Sequence, residues 1–301
     1  MTAAVTGATG YVGRFIVERL TEAGVPVRAW RRPGSDTSGL PPSVHWIEGA
    51  LGAPDAAFRL VDGADMLVHA ALDHAPGRYR GGEGADLQRF LDANVGGSLA
   101  LLAAARAAGV DRCVVISSRA VFGRSAGSGP FNDDAPACPD THYGAAKAAL
   151  EAFVSSWGRG EGWAVAALRP TGVYGVVAPA ERSKWFGLVG RALRGEAVPA
   201  RCGTEVHGRD VAEAVWRLLR ADPTEIAGRA FNCSDIIVSH RDIVLLVQQI
   251  AGVAGPLPEA GSPLAGVMRC EGLERLGVRF GGRPLFEATI RDLVAAASAA
   301  A

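Results

Sequence analysis

The chain has 301 residues, with 31 Lys and Arg against 31 Asp and Glu. Balanced charge and short charged runs argue against a nucleic-acid face or a polyanionic partner. Cys113, Cys138, Cys202, Cys233 and Cys270 are scattered and odd in number, which argues against a disulfide framework or a zinc site. No apolar stretch is long enough to span a bilayer, and the chain opens on a strand rather than a leader-like segment. The expectation is a reduced, cytoplasmic protein with no membrane partner and no metal.

The first predicted element is a short apolar strand, Ala3–Thr6, which runs into Gly7, Gly10 and Gly13. Phe15, Ile16, Val17 and Leu20 then follow at helical spacing. Strand, glycine turn and amphipathic helix together make a phosphate-binding turn. Gly7 allows the sharp exit, Gly10 lets a pyrophosphate approach the backbone, and Gly13 lets the helix pack closely on its strand. The first helical amides face the anion at the positive end of the helix dipole.

Further strands are predicted at Val27–Trp30, Val44–Glu48, Met66–Ala71, Cys113–Ser117 and Ala164–Leu168. Helices are predicted near Tyr11–Ala23, Ala53–Val61, Leu87–Ala108 and Tyr143–Trp157. Several strands are apolar throughout, as in a parallel sheet covered on both faces. The fold class is therefore α/β, a Rossmann-type doubly wound parallel sheet with a small C-terminal substrate-binding lid. Residues 1–175 form the dinucleotide-binding part, with 205–234 returning to it through a helix at Val211–Arg220 and a strand at Ala230–Cys233. Residues 176–204 and 235–301, where alternation weakens, form the lid. The Ala-rich stretch Leu293–Ala301 reads as a helix tail that frays.

Chemistry-bearing residues follow the fifth strand. Cys113–Ser117 delivers Ser117 and Ser118 to the carboxyl edge of the sheet, where ligands sit in open α/β folds. Tyr143 and Lys147 are four apart, on one helix face. A nearby ammonium favours the phenolate, which makes a tyrosine with an ordinary pKa near ~10 useful as an acid or base at neutral pH. Taken alone, this spacing equally fits a solvated helix face, and Ser-Ser often only ends a strand. Beside a dinucleotide turn, it suits proton exchange with an alcohol or ketone while hydride moves to or from a nicotinamide.

Six stretches carry a family resemblance: Thr6–Gly13, Val68–Ala71, Asn94, Ser117–Gly123, Tyr143–Lys147 and Leu168–Gly175, with a weaker echo at Val206–Ala212. In order and spacing they resemble the motifs of extended short-chain dehydrogenases/reductases, the NAD-dependent epimerase/dehydratase family. The resemblance implies catalytic roles for Ser118, Tyr143 and Lys147, with Tyr143 as acid/base and Lys147 lowering its pKa and holding the nicotinamide ribose. It implies cofactor contacts from Gly7, Thr9, Gly10, Tyr11, Val12, Gly13, Ala50, Leu51, Ala70, Ala71, Pro170 and Val173. Asn94 matches a helix Asn near the active site, whereas His69 and His207 read as packed residues.

The chain also departs from that pattern. Arg31 stands where NAD-using members carry an acidic residue, and Arg32 follows it. Guanidinium groups bind a 2′-phosphate that a carboxylate would repel, so the expected cofactor is NADP in preference to NAD. Gly203 replaces an Arg that sugar-nucleotide epimerases use for a diphosphate, with Arg201 two residues away. The loop Leu72–Gly84, with His74, Arg78, Tyr79 and Arg80, is expected to border the substrate, as are Lys184 and Trp185.

The leading functional expectation is an NAD(P)-dependent oxidoreductase acting on a carbonyl or secondary alcohol of a small, sugar-like substrate. Alternatives are a nucleotide-sugar epimerase or dehydratase with retained NAD, and a non-catalytic NAD(P)-binding sensor. Relatives often pair through the helices after Asn94 and Tyr143, so a homodimer is among the expectations.

Overall fold

A computed structural model describes residues 1–75, 81–123, 130–261 and 266–300. The first half alternates strand and helix: β1 (Ala3–Thr6), α1 (Tyr11–Glu22), β2 (Val27–Arg31), β3 (His45–Glu48), α2 (Pro54–Val61) and β4 (Met66–His69). Next come α3 (Leu87–Leu91), a π-helical segment (Asp92–Gly97), α4 (Ser98–Ala107) and β5 (Arg112–Ile116). A 3-10 turn (Arg119–Phe122) leads to α5 (His142–Glu161), β6 (Ala164–Pro170) and β7 (Gly172–Tyr174). The remainder comprises α6 (Phe186–Leu193), β8 (Cys202–His207), α7 (Gly208–Arg220), α8 (Pro223–Ile226), β9 (Arg229–Cys233), β10 (Ile236–Ser239), α9 (His240–Ala251), α10 (Glu271–Arg275) and α11 (Gly282–Ala299).

Seven strands pair in the order β3-β2-β1-β4-β5-β6-β9, every pair parallel. The chain thus winds outward from β1 in one direction, then from β4 in the other. That reversal opens a crevice between β1 and β4 at the carboxyl edge. Successive residues of each strand face opposite layers. Val5, Val68 and Val114 join Phe15, Ile16 and Leu20 of α1 and Val215 and Leu218 of α7. Ala4, Leu67 and Val115 join Leu60, Leu101, Leu102 and Leu150 on the other face. This two-sided burial accounts for the continuous apolar runs.

The predicted helix over Leu87–Ala108 is interrupted by the π-helical segment. Asn94 there turns its side chain to the backbone of Asp73, accepting from its amide at 2.8 Å and donating to its carbonyl at 2.8 Å. Gly97 packs where a Cβ would lie 2.5 Å from the Gly52 amide nitrogen. These two demands widen the turn, as π-bulges do near ligand sites.

Nothing in the sequence pattern signals the second, three-stranded sheet. In it β8 lies between β7, parallel, and β10, antiparallel. Tyr174 closes over Trp185 in a stack at 5.1 Å, and Phe286 of α11 meets both edge-on. With Val189, Ile243, Ile290 and Leu293 they form an apolar cluster separate from the main layers. Leu293, Val294 and Ala297 are buried there, so the expected fraying tail is helix to Ala299 and packed as far as Ala297.

Candidate active site

At the end of β1, Gly7 adopts φ +71°, and a Cβ on it would lie 2.6 Å from the Ala70 carbonyl. A Cβ on Gly13 would lie 2.0 Å from the Gly7 oxygen. The Gly10 amide donates to the Gly7 carbonyl at 2.9 Å, closing the turn. No side chain caps α1 and its first turn holds no acidic residue, so the positive end of its dipole faces the crevice. A cradle that a single methyl group would fill fits the close approach of a dinucleotide pyrophosphate.

The crevice continues as a cleft of about 1890 Å³. Gly7, Thr9, Gly10, Tyr11, Val12, Gly13, Arg32, Ala50, Leu51, Ala70, Ala71, Ser118, Tyr143, Lys147, Pro170 and Val173 all line it. The structure therefore brings together every predicted cofactor and catalytic position except Arg31. Arg31 is the exposed last residue of β2 and is not among the lining residues. Trp30 takes the inward place, its indole donating to the Ala56 carbonyl at 3.1 Å, and strand alternation turns Arg31 the other way. Arg32 reaches Asp73 at 3.5 Å, and Arg89 reaches the same carboxylate at 2.9 Å.

Tyr143 lies in the first turn of α5, which Thr141 caps by accepting from the Gly144 amide at 3.1 Å. Lys147, one turn on, is buried, and its ammonium donates to the Ile116 carbonyl at 2.6 Å. Burial pulls the Lys147 pKa down to about 8, with the Glu151 carboxylate opposing the shift. Ser118 begins the 3-10 turn, its hydroxyl accepting from the Ala120 amide at 3.1 Å. Ser118, Tyr143 and Lys147 thus belong to the lining of the same cleft as the glycine turn.

His69 and His207 pack, as their sequence contexts suggest. Thr6 accepts from the Ala71 amide at 3.2 Å, and its hydroxyl is hydrogen-bonded to His69 Nδ1 at 2.8 Å. The other ring nitrogen of His69 is hydrogen-bonded to the Ser98 hydroxyl at 2.8 Å. Full burial, and secondarily Lys147, lower its pKa to about 3. His207 caps α7 by accepting from the Arg209 amide at 3.0 Å, and burial lowers its pKa to about 4.

Lys184 lines the cleft and pairs closely with the buried Glu205, whereas Trp185 belongs to the apolar cluster. Arg201 and Gly203 also line the cleft. Arg78, Tyr79 and Arg80 lie outside the described residues. Sequence reasoning missed the Glu151–Arg169 pair behind Lys147, although Glu151 at i+4 from Lys147 and a charge inside an apolar strand were both visible signals. Among the described residues there is no His, Cys, Asp and Glu cluster able to hold a metal. No helix among them is long and apolar enough to cross a membrane.

Sheet order, glycine turn and cleft define a Rossmann-type protein of the extended short-chain dehydrogenase/reductase class. The NAD dependent epimerase/dehydratase family model matches residues 3–234, and the chain belongs to that family. A UDP-glucose 4-epimerase of Streptomyces lividans is 27% identical over 87% of this chain and 84% of its own. One from Azospirillum brasilense is 31% identical over 57% of this chain, the match spanning 49% of that relative's length. The Thermus thermophilus UDP-glucose 4-epimerase in complex with NAD superposes over 100% of both chains, with a TM-score of 0.79 at 24% identity.

Proposed function

We propose that the protein is an NAD(P)-dependent oxidoreductase of this family, moving hydride at a carbonyl or secondary alcohol of a small, sugar-like molecule. The observation that carries this reading is the convergence of Ser118, Tyr143 and Lys147 on the cleft that begins at the glycine turn. A bound nicotinamide supplies the hydride donor or acceptor at its C4. Ser118 orients the substrate oxygen. In the oxidative direction the Tyr143 phenolate takes the hydroxyl proton as the carbon gives up hydride, and in reduction the phenol returns it. Lys147 holds a positive charge near the phenolate, and the first turn of α5 adds its dipole.

Tyr143→Phe should reduce turnover by about 100-fold or more, while NADH and NADPH titrations followed by nicotinamide fluorescence stay within about twofold of the parent. Unchanged turnover across a panel of UDP-sugars and simple ketoses would remove Tyr143 from the reaction.

A second reading keeps the redox internal, as epimerisation or dehydration on a retained cofactor. The Streptomyces lividans relative, matched over most of both chains, favours it. A segment laced over the glycine turn supports it too. Tyr11 donates to the Gly175 carbonyl at 2.6 Å, and Arg182 pairs with Asp36 at 2.7 Å while donating to the Thr9 carbonyl at 3.1 Å. Mass spectrometry of the denatured, freshly purified protein separates the two readings: stoichiometric dinucleotide marks the retained mode, and its absence marks exchange.

For the cofactor we propose NADP, resting on Arg32 and its neighbour Arg89 rather than on Arg31. Arg32→Ala should weaken NADPH binding about tenfold more than NADH binding. Equal losses for both would assign Arg32 to Asp73 alone.

A further inference from the structure

Two consecutive residues at the carboxyl end of β5 are tied to two residues one turn apart on α5. Ile116 accepts from Lys147 at 2.6 Å, and the Ser117 hydroxyl donates in a short hydrogen bond to Glu151. From β6, Arg169 grips the same carboxylate through Nε at 2.9 Å and Nη2 at 2.7 Å. Its remaining terminal nitrogen donates to the Asp133 carbonyl at 2.8 Å, and the guanidinium lies 4.9 Å from the Phe122 ring centroid. Glu151 and Arg169 are only 9% and 7% exposed at their side chains. A buried ion pair of this kind contributes little net stability compared with a packed apolar pair, so stability alone gives weak reason for it.

The geometry points to Glu151 as a positioning residue: clamped by Ser117 and Arg169, it fixes Lys147 against β5 and keeps that ammonium charged beside Tyr143. This inference rests on the Ser118–Tyr143–Lys147 reading above. The groups around Lys147 support it. On β4, burial and secondarily Lys147 keep His69 neutral, and on β6 Arg169 is held by the Glu151 carboxylate. Asp133 presents its backbone carbonyl to Arg169 and its carboxylate to the Asn232 amide at 2.7 Å. The Glu151 carboxylate opposes the burial that disfavours a charged Lys147, and Arg169 holds that carboxylate in place. Arg169 and Ser117 act on the chemistry through Glu151.

A tyrosinate absorbance titration tests this without knowledge of the substrate. The wild-type curve minus that of Tyr143→Phe isolates the Tyr143 step. Lys147→Met should displace that step to higher pH, and failure to do so would defeat the acid/base reading itself. Given that displacement, Glu151→Gln should move the step upward by about one pH unit, a tenfold loss of phenolate at fixed pH. Ser117→Ala, which leaves every charge in place, should move it upward by about half a unit and carries the test alone if Glu151→Gln fails to fold. A step that stays put in either folded variant while Lys147→Met moves it would overturn the inference, and a lowered melting temperature in that case marks Glu151 as structural.

Discussion

Burial of Lys147 and His69 writes itself into the pH dependence of stability. Lys147 titrates at about 8 in the fold against an ordinary 10.5, so between those values the unfolded chain holds more protons. Its penalty is full below about pH 8 and fades as pH rises towards 10.5, so stability should climb through that window. Lys147→Met should remove a rise of about 3 kcal/mol, read by urea denaturation at each pH. His69 falls from 6.5 to about 3, so stability should drop as pH falls through that range. His69→Asn should flatten that limb. At Gly13, Ala would drive a methyl group to 2.0 Å from the Gly7 oxygen. We expect Gly13→Ala to lose NADH and NADPH binding and to lower the melting temperature, measured by fluorescence titration and a thermal scan. The glycines, Tyr143 and Lys147 were legible in the sequence because their chemistry is carried by residue type and short spacing. Arg31 lies exposed at the end of β2 while Arg32 lines the cleft, because successive strand residues face opposite sides.

Among the elements, the segment between β7 and α6 is tied to α1 and to the glycine turn. Arg14, buried in α1, donates to the Ala178 carbonyl at 2.6 Å and to the Asp36 carbonyl at 2.9 Å. Arg182 bridges to Asp36 from the other side. Exposed ion pairs contribute little to global stability, so Arg182→Ala should leave the melting temperature nearly unchanged. It should speed release of bound NADH about fivefold or more in a stopped-flow chase, because the bridge spans two segments that must part. An unchanged release rate would show that these segments do not gate the cleft. Strands of the main sheet were legible because both faces are apolar. The strands β7 and β8 were not, because Gly172 in β7 and the run Gly203, Thr204 and Glu205 in β8 break the apolar pattern.

At the scale of the whole molecule, two apolar layers hold the sheet and a third cluster holds the region around β8, α6, α9 and α11. Phe286 is fully buried in that third cluster, so Phe286→Ala should cost about 3–5 kcal/mol by cavity formation. Differential scanning calorimetry would show whether the loss falls on one cooperative transition or on a separable one. The amino-acid sequence by itself determined the glycine turn, the alternating parallel sheet and the residue types of the proposed acid/base set. These follow from local spacing and from apolar runs that must be buried on both faces. Tertiary structure alone decided which arginine meets the cleft, that Asn94 widens a helix, and that Glu151 and Arg169 meet behind Lys147. Each of those depends on contacts between residues many positions apart, whose approach is set by how the layers pack.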